Sequence, residues 1–190
     1  MVGDWDEVAR RRAREASRAS PEDRALQLEL LRLAADVGGR RVLELGCGTG
    51  ALARRMAERG AEVLALDASP QAIDTALEDA RELEPAGRLE FGVADPHDRA
   101  SLPSGPFDLV VFVEAVPGEA LRNAAHVVRR GGRLLLAVPH PASTQAAQQP
   151  GALQTLFGRI RKTGLRVIDV AESGPYLALL TERPRRRSRR

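Results

Sequence analysis

The sequence predicts an α/β domain with helices on both faces of a mainly parallel sheet, and three observations predict it. First, short apolar segments of strand length, around residues 42–45, 62–67, 88–95, 107–113 and 133–138, alternate with segments whose apolar residues recur at helical spacing. That alternation is what βαβ units require. Second, Gly46, Gly48 and Gly50 occupy every second position between the first strand and a helix beginning at Ala51. Third, the second and third strands each end in an acid, Asp67 and Asp95.

Taken in order, residues 4–18 read as a polar helix with Trp5, Val8 and Ala9 as its apolar contacts. Ser20-Pro21-Glu22-Asp23 starts a second helix, with a hydroxyl N-cap, a proline in the first turn and acids at the positive end of the dipole. Leu26, Leu30, Leu33 and Val37 recur along it until Gly38-Gly39 stops it. The first strand then runs into the glycine turn. Its glycines take dihedrals that side chains resist and let a ligand approach the backbone, while the unpaired N–H groups opening the next helix attract an anionic group. A nucleotide-type site is expected there.

Gly60 ends that helix, and Glu62–Asp67 is the second strand. Nineteen residues separate Gly48 from Asp67, close to the roughly 20 expected between a glycine turn and a ribose-binding acid. Ser69-Pro70 caps a helix with Ile73, Leu77, Ala80 and Leu83 on one face. The strand ending at Asp95 follows, then Phe107–Val113, whose apolar run suits a strand covered on both faces. A helix over 119–130, a Gly131-Gly132 turn and a fifth strand ending in Pro139-His140-Pro141 come next. Residues 142–150 read as loose. A helix over 151–163, capped by Gly164, leads to two strands, 165–170 and 176–181, spaced as a hairpin.

Composition narrows the function classes. Six aromatic residues in 190 disfavour a base-stacking surface for single-stranded nucleic acid. Cys47 is the single cysteine, so neither an intrachain disulfide nor a cysteine-based metal site is expected, and no metal site is read. No apolar run of signal-peptide or bilayer length occurs, which points to a soluble, cytoplasmic chain. The net charge of +3 is uneven: residues 181–190 hold six arginines and one acid, Glu182. The expected organisation is a helical lid over 1–37, one domain over 38–182 and a disordered basic tail over 183–190.

Gly46-x-Gly48-x-x-Ala51 also satisfies the dinucleotide fingerprint. Glu44, two residues earlier, makes the stretch Glu-x-Gly-x-Gly-x-Gly, which resembles motif I of the class I S-adenosylmethionine (SAM)-dependent methyltransferases. The resemblance covers about residues 40–182. It implies a Rossmann-like sheet of order 3-2-1-4-5-7-6 with strand 7 antiparallel, and two N-terminal helices lying over SAM. It further implies that Glu44, Gly46, Cys47, Gly48 and Gly50 hold the methionine part of SAM. Asp67 and Ala68 would meet the ribose, and Ala94, Asp95 and Pro96 the adenine. Val113 would border the cofactor, and Trp5 and Arg11 would close the lid. Arg129-Arg130-Gly131-Gly132 is similar to the family's Arg-Pro-Gly-Gly, with arginine in place of proline.

The implied reaction is transfer of the SAM methyl group by in-line displacement, leaving S-adenosylhomocysteine. Positioning alone can supply on the order of 7–11 kcal/mol, so a dedicated base is optional. His140, at the sheet edge where ligands of open α/β folds bind, and Glu114 are the candidates. The signature of base methylation is absent from Val113-Glu114-Ala115-Val116-Pro117. A small-molecule acceptor, with the chain a monomer or homodimer, is the leading expectation. The alternatives are an RNA or protein methyltransferase guided by the basic tail and a non-enzymatic SAM-binding partner subunit; an NAD-dependent oxidoreductase does not explain Glu44 and Asp95 together.

Overall fold

A computed structural model of the protein describes residues 21–113, 118–140 and 151–185. Within them, α1 is Pro21–Ala34, β1 Arg41–Leu45, α2 Ala51–Glu58, β2 Glu62–Asp67, α3 Pro70–Asp79 and β3 Arg88–Val93. The second half comprises β4 Phe107–Val113, α4 Gly118–Val127, β5 Val128–Pro139, α5 Ala152–Lys162, β6 Arg166–Ser173 and β7 Tyr176–Glu182. The strands form one seven-stranded sheet of order β3-β2-β1-β4-β5-β7-β6. Strands β1 to β5 are mutually parallel, and β7 runs antiparallel to both β5 and β6. The order and the antiparallel β7 are those the resemblance implies.

Strand alternation divides the core into two layers. Val42, Val63, Leu109 and Leu135 point to one face, beneath Leu30 of α1, Met56 of α2 and Ile73 of α3. Leu43, Leu45, Val110 and Leu136 point to the other, beneath Leu121 of α4 and Ile160 of α5. Because both faces are covered, the central strands are continuously apolar rather than alternating. Glu44 breaks that run. It shares the face of Val42 and lies in register with Ala65 and Val111.

Of the expected lid, residues 21–34 form α1, which packs across β5, β6 and β7 and buries Leu26, Leu30, Leu31 and Leu33. Trp5 and Arg11 lie outside the described residues. Several element boundaries differ from the sequence reading. Helix α1 ends at Ala34 rather than near Val37, α3 at Asp79 rather than beyond Leu83, and β5 begins at Val128 rather than 133. Three further differences have visible causes or consequences. The helix expected to reach Arg130 stops at Val127 and passes straight into β5, because Arg129 is drawn to the Asp108 carboxylate and Gly131 donates to the Arg183 carbonyl at 2.7 Å. Strand β6 extends to Ser173 instead of 170, pairing with β7 through to Tyr176 across a Gly174-Pro175 turn. The third strand ends at Val93, so that Asp95 stands in the loop beyond it. Arg183 itself is held by the α4–β5 junction, its guanidinium donating to the carbonyls of Ala125, His126 and Val128.

Candidate active site at the C-terminal edge of the sheet

The strand order reverses between β1 and β4, and at the C-terminal edge of such a switch point open α/β sheets bind their ligands. The glycine turn sits there. Gly46 N–H and Cys47 N–H both donate to the Leu66 carbonyl, at 2.8 and 3.1 Å, which moors the turn to β2. Gly48 has φ 54°, and nothing lies within 4 Å of the point a Cβ would occupy. That open volume is where a ligand can meet the backbone. Gly50 is needed for the opposite reason: at φ 73° a Cβ would stand 2.5 Å from Phe91 Cε1 of β3. Gly50→Ala is therefore expected to destabilise the fold by about 2–4 kcal/mol, combining left-handed strain with overpacking. A shift of the urea midpoint smaller than that of a surface glycine change, such as Gly158→Ala, would contradict this geometry.

Asp67 joins the turn to the second strand. One carboxylate oxygen accepts from Gly48 N–H at 2.8 Å, and the other from Ser69 N–H at 2.9 Å. Each carboxylate oxygen can accept more than one hydrogen bond, so capacity remains for ligand hydroxyls. Ser69 is buried and caps α3 by accepting from Ala72 N–H, which leaves Ala68 as the link between the acid and the helix. From the next strand, Ala94 N–H donates to the Asp67 carbonyl at 2.9 Å. Asp95 then accepts from His97 N–H at 2.8 Å and opens the loop expected to meet adenine. Val113 ends β4 beside the turn, its carbonyl 3.4 Å from where a Gly46 Cβ would be.

Beneath the turn lies Glu44, 2% exposed, whose Oε2 is buried with no hydrogen-bond partner among the described residues. Removal from water, and then the nearby Asp67 charge, push its carboxyl up to about 8; the Ala53 N–H and Arg54 act in the opposite direction without overcoming them. Burial, followed by the same two carboxyls, also pushes the Cys47 thiol strongly up, so Cys47 is a packed side chain rather than a nucleophile.

The sequence reading brings Glu44, Gly46, Cys47, Gly48, Gly50, Asp67, Ala68, Ala94, Asp95, Pro96 and Val113 to this edge, and the structure gathers them there. His140 is turned elsewhere along it. Its backbone N–H donates to the Pro175 carbonyl at 2.6 Å, and its imidazole Nε2 is 3.7 Å from Glu172 of β6. Glu114 lies outside the described residues. Two supporting residues escaped the sequence reading. Arg54 donates to the Thr49 carbonyl at 2.6 Å and reaches Asp79 of α3, tying the turn to two helices. Asn123, buried on α4, donates to the carbonyls of Pro96 and His97 at 3.0 and 3.2 Å and clamps the loop after Asp95. A lone amide among the alanines of that helix is the signal that could have found it.

Comparison with known proteins agrees with this arrangement. Residues 42–132 match the family described as Methyltransferase domain. The chain is 32% identical over 116 residues to a ubiquinone biosynthesis O-methyltransferase of Xanthomonas oryzae, covering 58% of this chain and 48% of that protein. It is 44% identical over 87 residues to a magnesium-protoporphyrin O-methyltransferase of Rhodobacter capsulatus, covering 46% of this chain and 37% of that one. The chain thus spans about half the length, or less, of these curated relatives. Among solved structures, the magnesium protoporphyrin IX methyltransferase of Synechocystis with bound SAM superposes with a TM-score of 0.67 at 19% identity, over 84% of this chain and 80% of that one. The matched domain, the strand order and the glycine turn agree: residues 42–132 of this chain are similar to the Methyltransferase domain family, and the sheet has the order that the class I resemblance implies.

Proposed function

We propose that the protein transfers the methyl group of SAM to a small-molecule acceptor, most simply to an oxygen nucleophile. The observation that carries this reading is the joining of an open glycine turn to an acid-tipped strand by the Asp67 carboxylate. The chemistry of the residues fits the cofactor. Carboxyl groups at Glu44, Asp67 and Asp95 accompany a turn with open space over Gly48, a combination suited to a ligand that carries cationic and hydroxyl groups. Gly46 to Gly50 would hold the methionine part, Asp67 the ribose hydroxyls, and the Asn123-clamped loop at 94–96 the adenine.

Bound there, SAM supplies a methyl group already activated by its sulfonium. The chain's own contribution is to fix that methyl group and exclude alternative geometries, since the turn is moored to β2, α2 and α3 at several points. His140, further along the same edge, is the candidate to take the proton of an acceptor hydroxyl. The names of the O-methyltransferase relatives support an oxygen acceptor.

Calorimetric titration of the 190-residue chain with SAM, S-adenosylhomocysteine and NAD tests the reading. Binding of the first two and not the third is expected, followed by transfer of labelled methyl groups to phenolic or carboxylic acceptors. Binding of NAD alone would overturn the cofactor assignment. SAM binding without transfer to any acceptor would favour a SAM-binding partner subunit.

A further inference from the structure

At the edge of the sheet opposite the glycine turn, arginines accumulate from segments far apart in sequence. On the β1–β2 side, where Arg41 lies in register with Glu62 and its guanidinium is taken by the Pro106 carbonyl and the Phe107 ring, the charges are mixed. From β4 to β6 they are not. Two acids occur there, Asp108 and Glu182, and each is taken by one arginine: Asp108 by Arg129, and Glu182 by Arg166 at 3.0 Å. Burial opposes the Asp108 carboxylate, but the Arg41 N–H and the Arg129 guanidinium outweigh it and hold the group below the usual carboxylate range. Arg183 is committed to the carbonyls closing α4.

Three arginines exceed these pairings, and the fold gathers them. Arg130 and Arg133 flank Gly131-Gly132, and Arg185 lies over the same turn, its Nε 2.8 Å from where a Gly131 Cβ would stand. The reason is backbone pairing. Gly131 N–H donates to the Arg183 carbonyl at 2.7 Å and Arg183 N–H to the Gly132 carbonyl at 2.9 Å, so the arginine run is started from the α4–β5 junction. Residues 186–190 then add four more arginines in sequence.

We propose that this N-terminal edge, from β4 to β6, is a docking surface for the phosphate backbone of a nucleic acid. The charges follow a sheet edge of three strand spacings, about 14 Å, long enough to meet consecutive phosphates of one strand. Guanidinium forks pair with phosphate in two-point fashion. Of the exposed large apolar side chains among the described residues, Leu28, Leu77, Val93 and Phe157 lie on other elements and Ile168 and Val170 lie further along β6, so the cluster at Arg130, Arg133 and Arg185 is not an apolar surface of the kind that enters a lipid. Among the described residues it offers no exposed aromatic ring for base stacking either, so contact is with the backbone and independent of sequence. The opposite edge stays open, which makes the nucleic acid a tether rather than the acceptor. This inference stands apart from the methyl-transfer reading.

The test is fluorescence anisotropy of a labelled single-stranded RNA with the full chain over a salt series. The logarithm of affinity should fall against the logarithm of salt with a slope of about −2 if three arginines contribute and about −5 if those of 186–190 do as well. The triple variant Arg130→Gln/Arg133→Gln/Arg185→Gln should bind roughly tenfold or more weakly at about 50 mM salt, with the slope reduced by about 2. Its urea midpoint and SAM affinity should match the parent chain, and a chain ending at Arg185 gives a second variant that leaves the edge intact. Unchanged RNA binding in the triple variant would overturn the assignment, as would binding to anionic phospholipid vesicles with none to RNA.

Discussion

Glu44→Gln is expected to flatten the dependence of folding stability on pH between about 4.5 and 8. In the parent chain the folded Glu44 carboxyl titrates near 8 and its ordinary value is 4.5, so across that window the folded state holds a proton that the unfolded state has released. Stability therefore falls as pH rises through the window and levels off above it. The loss amounts to roughly 5 kcal/mol, of the order of the whole stability of a small domain. Glutamine has a similar shape and no proton to lose, so its variant should be the more stable protein above pH 8. Asp108 works in the opposite sense and elsewhere, its stabilisation being lost only as pH falls below the usual carboxylate range. Urea midpoints of the two proteins across this range decide the matter; parallel curves would show that Glu44 is solvated or paired.

Asp67→Ala should produce the second large effect, on two readouts together. Losing the acceptor of the Gly48 and Ser69 N–H groups removes two hydrogen bonds to a charged group, costing about 3 kcal/mol together at the low end of the range for such bonds. If the same carboxylate meets the ribose, SAM affinity falls by a further 1.5–3 kcal/mol, about 10- to 150-fold. Asp67→Asn keeps one acceptor oxygen and should show roughly half of that destabilisation. Both changes also remove a charge that raises the Glu44 carboxyl, so the Glu44 pH window should narrow in each. A destabilised variant with full SAM affinity would make Asp67 a brace of the turn and nothing more.

Much of the cofactor edge was legible in the sequence because its signals are local. Glycine at 46, 48 and 50 follows from backbone sterics, and Asp67 and Asp95 announce themselves as acids ending apolar runs. The end of α4 was not legible. Nothing near Val127 forbids a helix through Arg130; what stops it is the Asp108 carboxylate from a neighbouring strand and the Arg183 backbone from β7. Asn123 and Arg54 were missed for a related reason, since the partners of Asn123 at 96–97 and the Asp79 partner of Arg54 are contiguous with them only in the fold.

The sequence by itself determined the succession of strands and helices, the glycine turn and the acids at the strand tips, since periodicity and backbone preference act over a few residues. Only the tertiary structure decided that Glu44 is a buried carboxyl with an unpartnered oxygen, and that arginines from β5, β6 and the run after Glu182 share one edge. Burial and long-range charge depend on which segments the sheet register brings together, and that register joins residues as far apart as Arg133 and Glu182.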